Sequence, residues 1–246
     1  MTQPESRVNF LQNLAKLSSS YSFILVHGGG PEISAALKTH NIEPKFKNGL
    51  RVTDKNTMSI TEMILTGKVN PTLVGDLEAL GVKSVGISGR SNKTLLATSL
   101  FPQKPEYGYV GKVEKVQTEL IEDLSEKGYL IVLSPIGTDK TGQAWNVNAD
   151  HAAKAVSAAL GADEMIFLTD VDGVMVDGKV VHSLNTTRTK QLIEQKIIYG
   201  GMIPKVESAL FCLQQGVKKV VILNGQEKDI LPRYFSSQEK IGTVFQ

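Results

Sequence analysis

The chain alternates between short apolar runs and segments whose apolar residues recur every three or four positions. The runs predict strands at 23–26, 84–87, 130–133, 165–169 and 219–223. The segments with helical spacing predict helices at 8–17, 32–39, 58–64, 73–80, 118–127, 149–160, 187–193 and 205–215. Because several helices end at a glycine that is followed closely by a strand, the pattern favours an α/β protein with a mostly parallel sheet, covered by helices on both faces.

One segment departs from this alternation. Residues 92–116 are rich in Thr, Pro, Tyr and Gly, and polar and apolar residues alternate over 107–113, which predicts a hairpin. No internal repeat or low-complexity linker interrupts the chain. We therefore expect lobes of one fold rather than independent domains.

Composition narrows the classes of protein. The 246 residues are 41% hydrophobic and 21% charged with a net charge of +2, which gives no reason to expect nucleic acid or an anionic membrane as a partner. No apolar stretch reaches the ~18 residues of a membrane span, and the first residues lack the pattern of a secretory signal. The single cysteine, Cys212, lies in an apolar run and is expected to be a buried thiol in a reducing compartment. The sequence thus predicts a cytoplasmic protein.

The strand at 23–26 leads directly into His27 and three glycines, Gly28–Gly30, and a helical pattern begins at Ile33. Glycines at the end of a buried strand offer backbone N–H groups at close approach, which suits an anion such as a phosphoryl group. A tight strand-to-helix turn explains the glycines equally well. The four histidines share no metal-ligand spacing, so no zinc site is expected, and His27 is expected to orient the glycine turn rather than to act as a base.

Two further segments place polar residues beside a predicted turn or helix start. Arg51 lies next to a glycine turn in 48–53, where its planar guanidinium could bind a carboxylate or phosphate through two hydrogen bonds; a solvated surface arginine is the alternative. Asn146, Asn148 and Asp150 stand at the start of the predicted helix 149–160. Capping explains one of these three residues, and a polar cluster that faces a ligand explains the set.

The last third of the chain contains two turns with candidate phosphate chemistry. Thr169–Gly173 follows a strand, and its carboxylates could order a nucleotide or its Mg²⁺, or form a plain Asp-Gly turn; their spacing excludes an EF-hand loop. No segment has the glycine spacing of a Walker P-loop. Gly200–Lys205 enters a helix with paired glycines and a lysine in the first turn, where a cation is unfavourable unless an anion compensates it.

Taken in order, these segments resemble the amino acid kinase family. The resemblance runs from about residue 8 to the carboxyl terminus, and it rests on 26–33 (VHGGGPEI), 48–53 (NGLRVT), 85–89 (VGISG), 109–113 (YVGKV), 146–150 (NVNAD), 168–173 (LTDVDG), 200–206 (GGMIPKV) and 241–244 (IGTV). The HGGG turn alone is shared by several branches of the family. The combination of HGGGPEI, NGLRVT, NVNAD and GGMIPKV is specific to the branch that phosphorylates N-acetyl-L-glutamate.

The resemblance implies a three-layer α/β/α sandwich with a mostly parallel central sheet over residues 1–246. It implies an amino-acid lobe at about 1–160, which also makes dimer contacts, and an ATP lobe at about 161–246. The implied reaction transfers the γ-phosphoryl group of ATP, with Mg²⁺, to the side-chain carboxylate of N-acetyl-L-glutamate, the second step of arginine biosynthesis. No resident metal site is implied. A homodimer is expected, because the helix that interlocks hexameric members of the family is not seen.

The resemblance also assigns roles to residues. Gly29 and Gly30 direct backbone amides at the phosphoryl and carboxylate oxygens, and Arg51 and Asn146 bind the α-carboxylate end of the amino acid. The expected catalytic residues are Lys205, which contacts the nucleotide phosphates, and Asp150, which organises the catalytic cations. The residues expected to bind the nucleotide are Thr169, Asp170, Gly201, Met202 and Lys205. These roles suit the chemistry, because a carboxylate is ionised at neutral pH and needs no general base, whereas two anions must be held in line by cations and N–H donors.

This chain departs from the family at its start. Members of the family begin with a strand that ends in Lys-x-Gly-Gly, whereas residues 1–7 here are polar and contain no such segment. We expect a truncated start rather than a lost activity, because the other motifs are intact. Two alternatives stay open: a ligand-binding or regulatory homologue without turnover, and a kinase for a carrier-protein-linked aminoadipate or glutamate, for which the net charge of +2 offers little support.

Overall fold

The alternation of strands and helices is present in the computed structural model, which describes residues 4–236 and 239–246. The helices are α1 (Pro4–Leu17), α2 (Gly30–Thr39), α3 (Lys55–Ile64), α4 (Asn70–Ala79), α5 (Glu119–Glu126), α6 (Ala149–Leu160), α7 (Thr186–Glu194), α8 (Met202–Gln214) and α9 (Ile230–Phe235). A π-helical turn, Leu65–Val69, joins α3 to α4, and 3₁₀ turns lie at Ser91–Lys93 and Pro105–Tyr107.

The strands of the described residues are mostly short. They are β1 (Ile24–Val26), β2 (Phe46–Lys47), β3 (Leu50–Arg51), β4 (Ser84–Ser88), β5 (Leu95–Ser99), β6 (Val110–Val116), β7 (Leu130–Ser134), β8 (Ile136–Thr138), β9 (Ala144–Val147), β10 (Glu164–Thr169), β11 (Met175–Val176), β12 (Lys179–Val180), β13 (Ser183–Leu184), β14 (Lys219–Asn224) and β15 (Thr243–Phe245). Of the polar residues 1–7 at the start of the chain, residues 1–3 lie outside the part that the structure describes.

Every strand and most helices predicted from the apolar pattern are found close to their expected bounds. The helices predicted to end at Gly128, Gly161 and Gly216 do so, and these glycines have φ angles of 76°, 57° and 92°, the left-handed conformation that glycine adopts most readily. The helices predicted at 58–64 and 73–80 instead form one continuous stretch. The π-helical turn carries the chain into α4, where Pro71 falls in the first turn and its missing N–H interrupts no hydrogen bond.

The chain divides into two units. The central unit is Ser18–Ala155, and the terminal unit combines the segment up to Leu17 with Val156–Gln246. The division falls within α6, as does the expected lobe boundary near residue 160, and the first helix groups with the carboxyl-terminal part of the chain. The proposed roles of the two lobes stay a prediction.

The central unit contains a three-stranded parallel sheet with the order β1-β7-β4. All five residues of β7 are buried, as expected for an apolar run in the middle of a parallel sheet, whereas the three residues of the edge strand β1 are half-buried. A closed four-stranded barrel, β5-β6-β9-β8, includes the antiparallel β5–β6 hairpin that the alternation over 107–113 predicted. The helices α2 and α3 contribute apolar residues to a core cluster with the barrel residues Ile136 and Ala144.

The terminal unit contains a four-stranded sheet with the order β10-β14-β15-β13. The pairs β10–β14 and β13–β15 are parallel, and β14–β15 is antiparallel. Val220–Leu223 of β14 are fully buried, and α8 packs against this strand. Cys212 of α8 is fully buried, which confirms the prediction of a buried thiol. Among the described residues, no helix has the length and apolar character needed to cross a membrane.

Replacing Lys196 with glycine should stabilise the protein by about 0.5–1 kcal/mol. Lys196 follows the carboxyl end of α7 with φ 56°, and its N–H and that of Ile197 bond the carbonyls of Ile193 and Leu192. This left-handed cap costs a non-glycine residue about 1–2 kcal/mol, which exceeds the extra unfolded-state entropy of glycine. The urea midpoint of Lys196→Gly should rise relative to the parent and to Lys196→Ala; equal midpoints for the two variants would contradict the prediction.

Candidate functional site

The central unit contains a cavity of about 210 Å³ that is lined by three of the sequence motifs. The glycine turn contributes Gly28–Gly30, the β2–β3 hairpin contributes Arg51, and the segment after β9 contributes Asn148 and His151. All four residues predicted to bind the amino acid line this one cavity: Gly29, Gly30, Arg51 and Asn146. They come from positions separated by up to 117 residues in sequence, so the fold rather than local sequence brings them together.

Arg51 is held in the cavity by a two-residue turn and by contacts to α2. Asn48 and Gly49 both have positive φ angles, 51° and 76°, as in the tight turns that join short antiparallel strands. The Arg51 side chain is 8% exposed, and its Cζ lies 4.7 Å from the ring centroid of Phe46 on the paired strand. Its Nη2 donates hydrogen bonds to the Gly30 carbonyl at 2.9 Å and to Ser34 Oγ at 3.0 Å.

The guanidinium of Arg51 is the group lining the cavity that says most about the ligand. Nη1 is buried and has no hydrogen-bond partner within the described residues. Burial lowers the pKa of Arg51, but a guanidinium stays charged in proteins. Arg51 lines the cavity, and a buried charged guanidinium is costly unless an anion compensates it, so Arg51 points to a carboxylate or phosphate ligand. This geometry argues against the alternative of a solvated surface arginine.

The glycine turn forms the amino-terminal end of α2. Gly29 is the N-cap residue and Gly30 the first helical residue, so their N–H groups belong to the turn that has no intrahelical acceptor. Such amides bind anions, and the helix dipole adds to the attraction. Gly29 has an extended φ of 173°, and a Cβ there would lie 2.6 Å from Cδ2 of Leu65 in the π-helical turn, so a larger residue would require this buried side chain to move.

Asn146 is tied to Arg51 through a buried threonine. Asn146 Nδ2 donates to Thr53 Oγ1 at 3.0 Å, and the Thr53 hydroxyl donates to the Arg51 carbonyl at 2.7 Å. Thr53 is fully buried. The relay fixes the amide of Asn146 relative to the strand that carries the guanidinium. Thr53 belongs to the NGLRVT motif, but no pattern in the sequence predicts this relay.

Of the polar residues at the start of α6, one caps the helix and another lines the cavity. Asn148 Oδ1 accepts hydrogen bonds from the N–H groups of Asp150 at 2.9 Å and His151 at 3.2 Å, so Asn148 is the helix cap. Asn146 instead lines the cavity, with Asn148, Ala149 and His151 beside it. Asp150 lies in the first turn of α6 and is half-buried. The cavity therefore meets the amino-terminal ends of two helices, α2 and α6.

The residues predicted to bind a nucleotide lie in the terminal unit. Thr169 ends β10 and its hydroxyl donates to Asp170 Oδ1 at 3.1 Å, while the Thr169 carbonyl accepts from the Gly225 amide at 2.8 Å. Helix α8 precedes β14, so in a parallel β10–β14 arrangement its amino-terminal end lies at the carboxyl edge of the strands. Lys205 Nζ is 5.9 Å from the ring centroid of Phe167 on β10, which agrees with that placement.

The residues of the predicted nucleotide site lie on two segments of this unit. Thr169 ends β10 and Asp170 follows it, and Gly201, Met202 and Lys205 lie at the start of α8, with Gly201 as the N-cap. Lys205 is the fourth helical residue and is half-buried, whereas Asp170 and Gly201 are exposed. The described residues contain no group of three or more His, Cys, Asp or Glu side chains that could hold a metal ion.

The chain is similar to known proteins in both sequence and structure. Residues 1–224 match the model of the amino acid kinase family. Acetylglutamate kinase from Kosmotoga olearia is 41% identical over 245 residues, which are 99% of this chain and 86% of that protein, and the enzyme from Methanocaldococcus jannaschii is 43% identical over 234 residues, or 90% and 78%. The crystal structure of smu.665 from Streptococcus mutans is 30% identical with a TM-score of 0.77, covering 97% of this chain and 91% of that one. The predicted α/β fold class is confirmed by this structural likeness.

Proposed function

This chain belongs to the amino acid kinase family, and we propose that it transfers the γ-phosphoryl group of ATP to the side-chain carboxylate of N-acetyl-L-glutamate. The products are N-acetyl-L-glutamyl 5-phosphate and ADP, the second step of arginine biosynthesis. The single observation that carries the choice of substrate is the buried guanidinium of Arg51, a residue that lines a cavity which also receives the amino-terminal end of α2.

The cavity suits an acylated dicarboxylic amino acid. The Arg51 fork would bind the α-carboxylate, while the amide of Asn146, held by Thr53, would bind beside it. The amides of Gly29 and Gly30 would receive the reacting carboxylate and the incoming phosphoryl oxygens. Each of these groups is positioned before the ligand arrives, so little reorganisation is needed on binding.

The nucleotide would bind at the carboxyl edge of the terminal-unit sheet. Lys205 would contact the phosphates near the paired glycines, and Thr169 and Asp170 would border the same edge. Magnesium is expected to arrive with ATP, where it neutralises phosphate charge. Asp150 is the carboxylate that we propose to organise the catalytic cations, since Mg²⁺ in such sites is held by one or two carboxylates together with phosphate oxygens.

The chemistry needs positioning more than proton transfer. One carboxylate oxygen of the amino acid forms a bond to the γ-phosphorus while the bond from that phosphorus to the β,γ-bridging oxygen breaks, and ADP leaves with the electron pair. The attacking carboxylate is already ionised at neutral pH, so the reaction requires no general base. The barrier lies in aligning two anions, which N–H donors and fixed cations lower.

The decisive experiment mixes the purified chain with ATP, Mg²⁺ and N-acetyl-L-glutamate. We expect ADP to appear only when the acetylated amino acid is present, and hydroxylamine to trap the acyl phosphate as a hydroxamate. Free L-glutamate and N-acetyl-L-aspartate serve as matched control substrates. Binding of N-acetyl-L-glutamate in a calorimeter without ADP release would instead indicate the non-catalytic homologue, and turnover only with a carrier-linked acid would indicate the third alternative.

The assembly and location of the protein are part of the proposal. We infer a homodimer by analogy with the family, and sedimentation of the purified chain would measure it. The composition leads us to infer a cytoplasmic location, which cell fractionation would check.

A further inference from the structure

His27, which the sequence predicts to orient the glycine turn, forms a buried polar pair with Asn70 beside that turn. His27 is 6% exposed and Asn70 is 4% exposed. Asn70 begins α4, directly after the π-helical turn, and its Nδ2 lies 2.9 Å from the Val132 carbonyl of β7 and 3.1 Å from His27 Nε2. His27 Nδ1 lies 2.8 Å from the Gly28 carbonyl.

These contacts define which nitrogen of His27 carries the proton. The Val132 carbonyl can only accept, so it must face the NH₂ group of Asn70, and this fixes the orientation of the amide. The same NH₂ group then donates to His27 Nε2, which leaves Nε2 as an acceptor. The proton is therefore on Nδ1, which donates to the Gly28 carbonyl. Burial lowers the pKa of His27, in keeping with a neutral ring.

The hydrogen bond to Gly28 controls the direction of a neighbouring amide. The Gly28 carbonyl and the Gly29 N–H belong to the same rigid peptide plane and point in opposite directions, because the described peptide bonds are trans. A Cβ on Gly28 would have no heavy atom within 4 Å, so open space lies beside this residue. Glycine on both sides makes rotation of the plane easier, and the hydrogen bond from His27 restrains that rotation.

We propose that Asn70 and His27 are positioning residues that orient the Gly28–Gly29 peptide plane, so that the Gly29 amide is presented to the anion in the cavity. Asn70 acts through His27, and His27 acts through the Gly28 carbonyl. The proposal rests on the proposed function for its kinetic consequence. The position of Asn70 is itself constrained, because a Cβ on Gly86 would lie 1.9 Å from Asn70 Oδ1.

Two substitutions of His27 separate the two hydrogen bonds of its ring. His27→Asn places an amide NH₂ where Nδ1 stands and keeps the bond to Gly28, whereas His27→Gln places its amide where Nε2 stands and loses that bond. We expect kcat to fall about 10- to 30-fold in His27→Gln, with the KM for ATP unchanged, and to stay within about threefold of the parent in His27→Asn, because a misdirected donor loses much of a preorganised donor's effect. Equal losses in both variants would overturn the proposal.

Asn70→Leu tests the second residue, and Ser84→Ala is its matched control. Ser84 is also buried beside α4, where its hydroxyl donates to the Val74 carbonyl, but it makes no contact with the glycine turn. We expect Asn70→Leu to lower kcat about tenfold and Ser84→Ala to lower only the melting temperature. Comparable kcat values in the two variants would contradict the role of Asn70.

A spectroscopic measurement tests the proposal without relying on enzymatic turnover. Two-bond ¹⁵N–¹H spectra of the parent protein without substrate should show the His27 ring protonated on Nδ1 alone, and Asn70→Leu should remove that preference. A parent ring protonated on Nε2, or on both nitrogens at pH 7, would overturn the arrangement. If the parent forms no acyl phosphate, the proposed function fails. The positioning role is then still decided by two measurements. These are the protonation of the His27 ring and the calorimetric affinities of His27→Asn and His27→Gln for N-acetyl-L-glutamate.

Discussion

Replacing Arg51 with alanine should raise the KM for N-acetyl-L-glutamate by about 100- to 1,000-fold and change kcat far less. Hydrogen bonds to charged groups contribute about 1.5–3 kcal/mol each, and the Arg51 guanidinium is held at the cavity by its hydrogen bonds to Gly30 and Ser34. The binding energy is used equally in the ground state and the transition state, so its loss appears in KM. Initial rates over a range of N-acetyl-L-glutamate concentrations at saturating ATP measure the effect.

Two further variants separate ligand binding by Arg51 from its contacts to α2. Arg51→Lys keeps the charge but loses the planar fork, and we expect its KM to rise about tenfold. Ser34→Ala removes only the 3.0 Å contact from Arg51 Nη2 and should leave KM within about twofold of the parent. A large effect of Ser34→Ala, or a KM for N-acetyl-L-glutamate that is unchanged in Arg51→Ala, would show that Arg51 is structural.

Replacing Lys205 with alanine should lower kcat by about 100- to 1,000-fold while the KM for N-acetyl-L-glutamate stays nearly constant. A fixed cation at the phosphates stabilises charge that develops during phosphoryl transfer, and removing one preorganised donor of this kind typically has an effect of that size. The contact of Lys205 with the Phe167 ring is long, at 5.9 Å, and contributes at most about 1 kcal/mol to folding.

The control for Lys205 is an exposed lysine of the same unit. Lys190 lies on α7, is exposed, and is expected to tolerate alanine without a change in kcat. Lys205→Arg keeps the charge with a different geometry and should retain part of the rate. Activity of Lys205→Ala within threefold of the parent would remove Lys205 from the catalytic machinery.

Much of the fold could be predicted from local sequence because each element carries its own signal. The apolar runs of β7 and β14 and the glycines that end α5, α6 and α8 need no tertiary information. The small barrel was not predicted, apart from the β5–β6 hairpin. Its strands β8 and β9 have three and four residues, too few for an apolar period to appear.

Only those residues of the candidate site that belong to sequence motifs could be predicted. Arg51 and Asn146 lie 95 residues apart, and residue types alone left a surface arginine and a helix cap as alternatives; the family resemblance joined them in one site. Asn70 gave no signal, because an asparagine before a proline is typical of a helix start or stop and not of a buried donor to a histidine. Its contacts to β7 and His27 arise from tertiary packing.

The two helix ends at the cavity affect how the affinity for the amino acid depends on ionic strength. The attraction for an anion there comes from the backbone amides of α2, from the dipoles of α2 and α6 and from a guanidinium that is 8% exposed, rather than from lysines in solvent. Mobile ions screen exposed charges over about 8 Å at physiological ionic strength but penetrate buried sites poorly. Affinity for the amino acid should thus persist in concentrated salt, where a site built from surface cations would weaken.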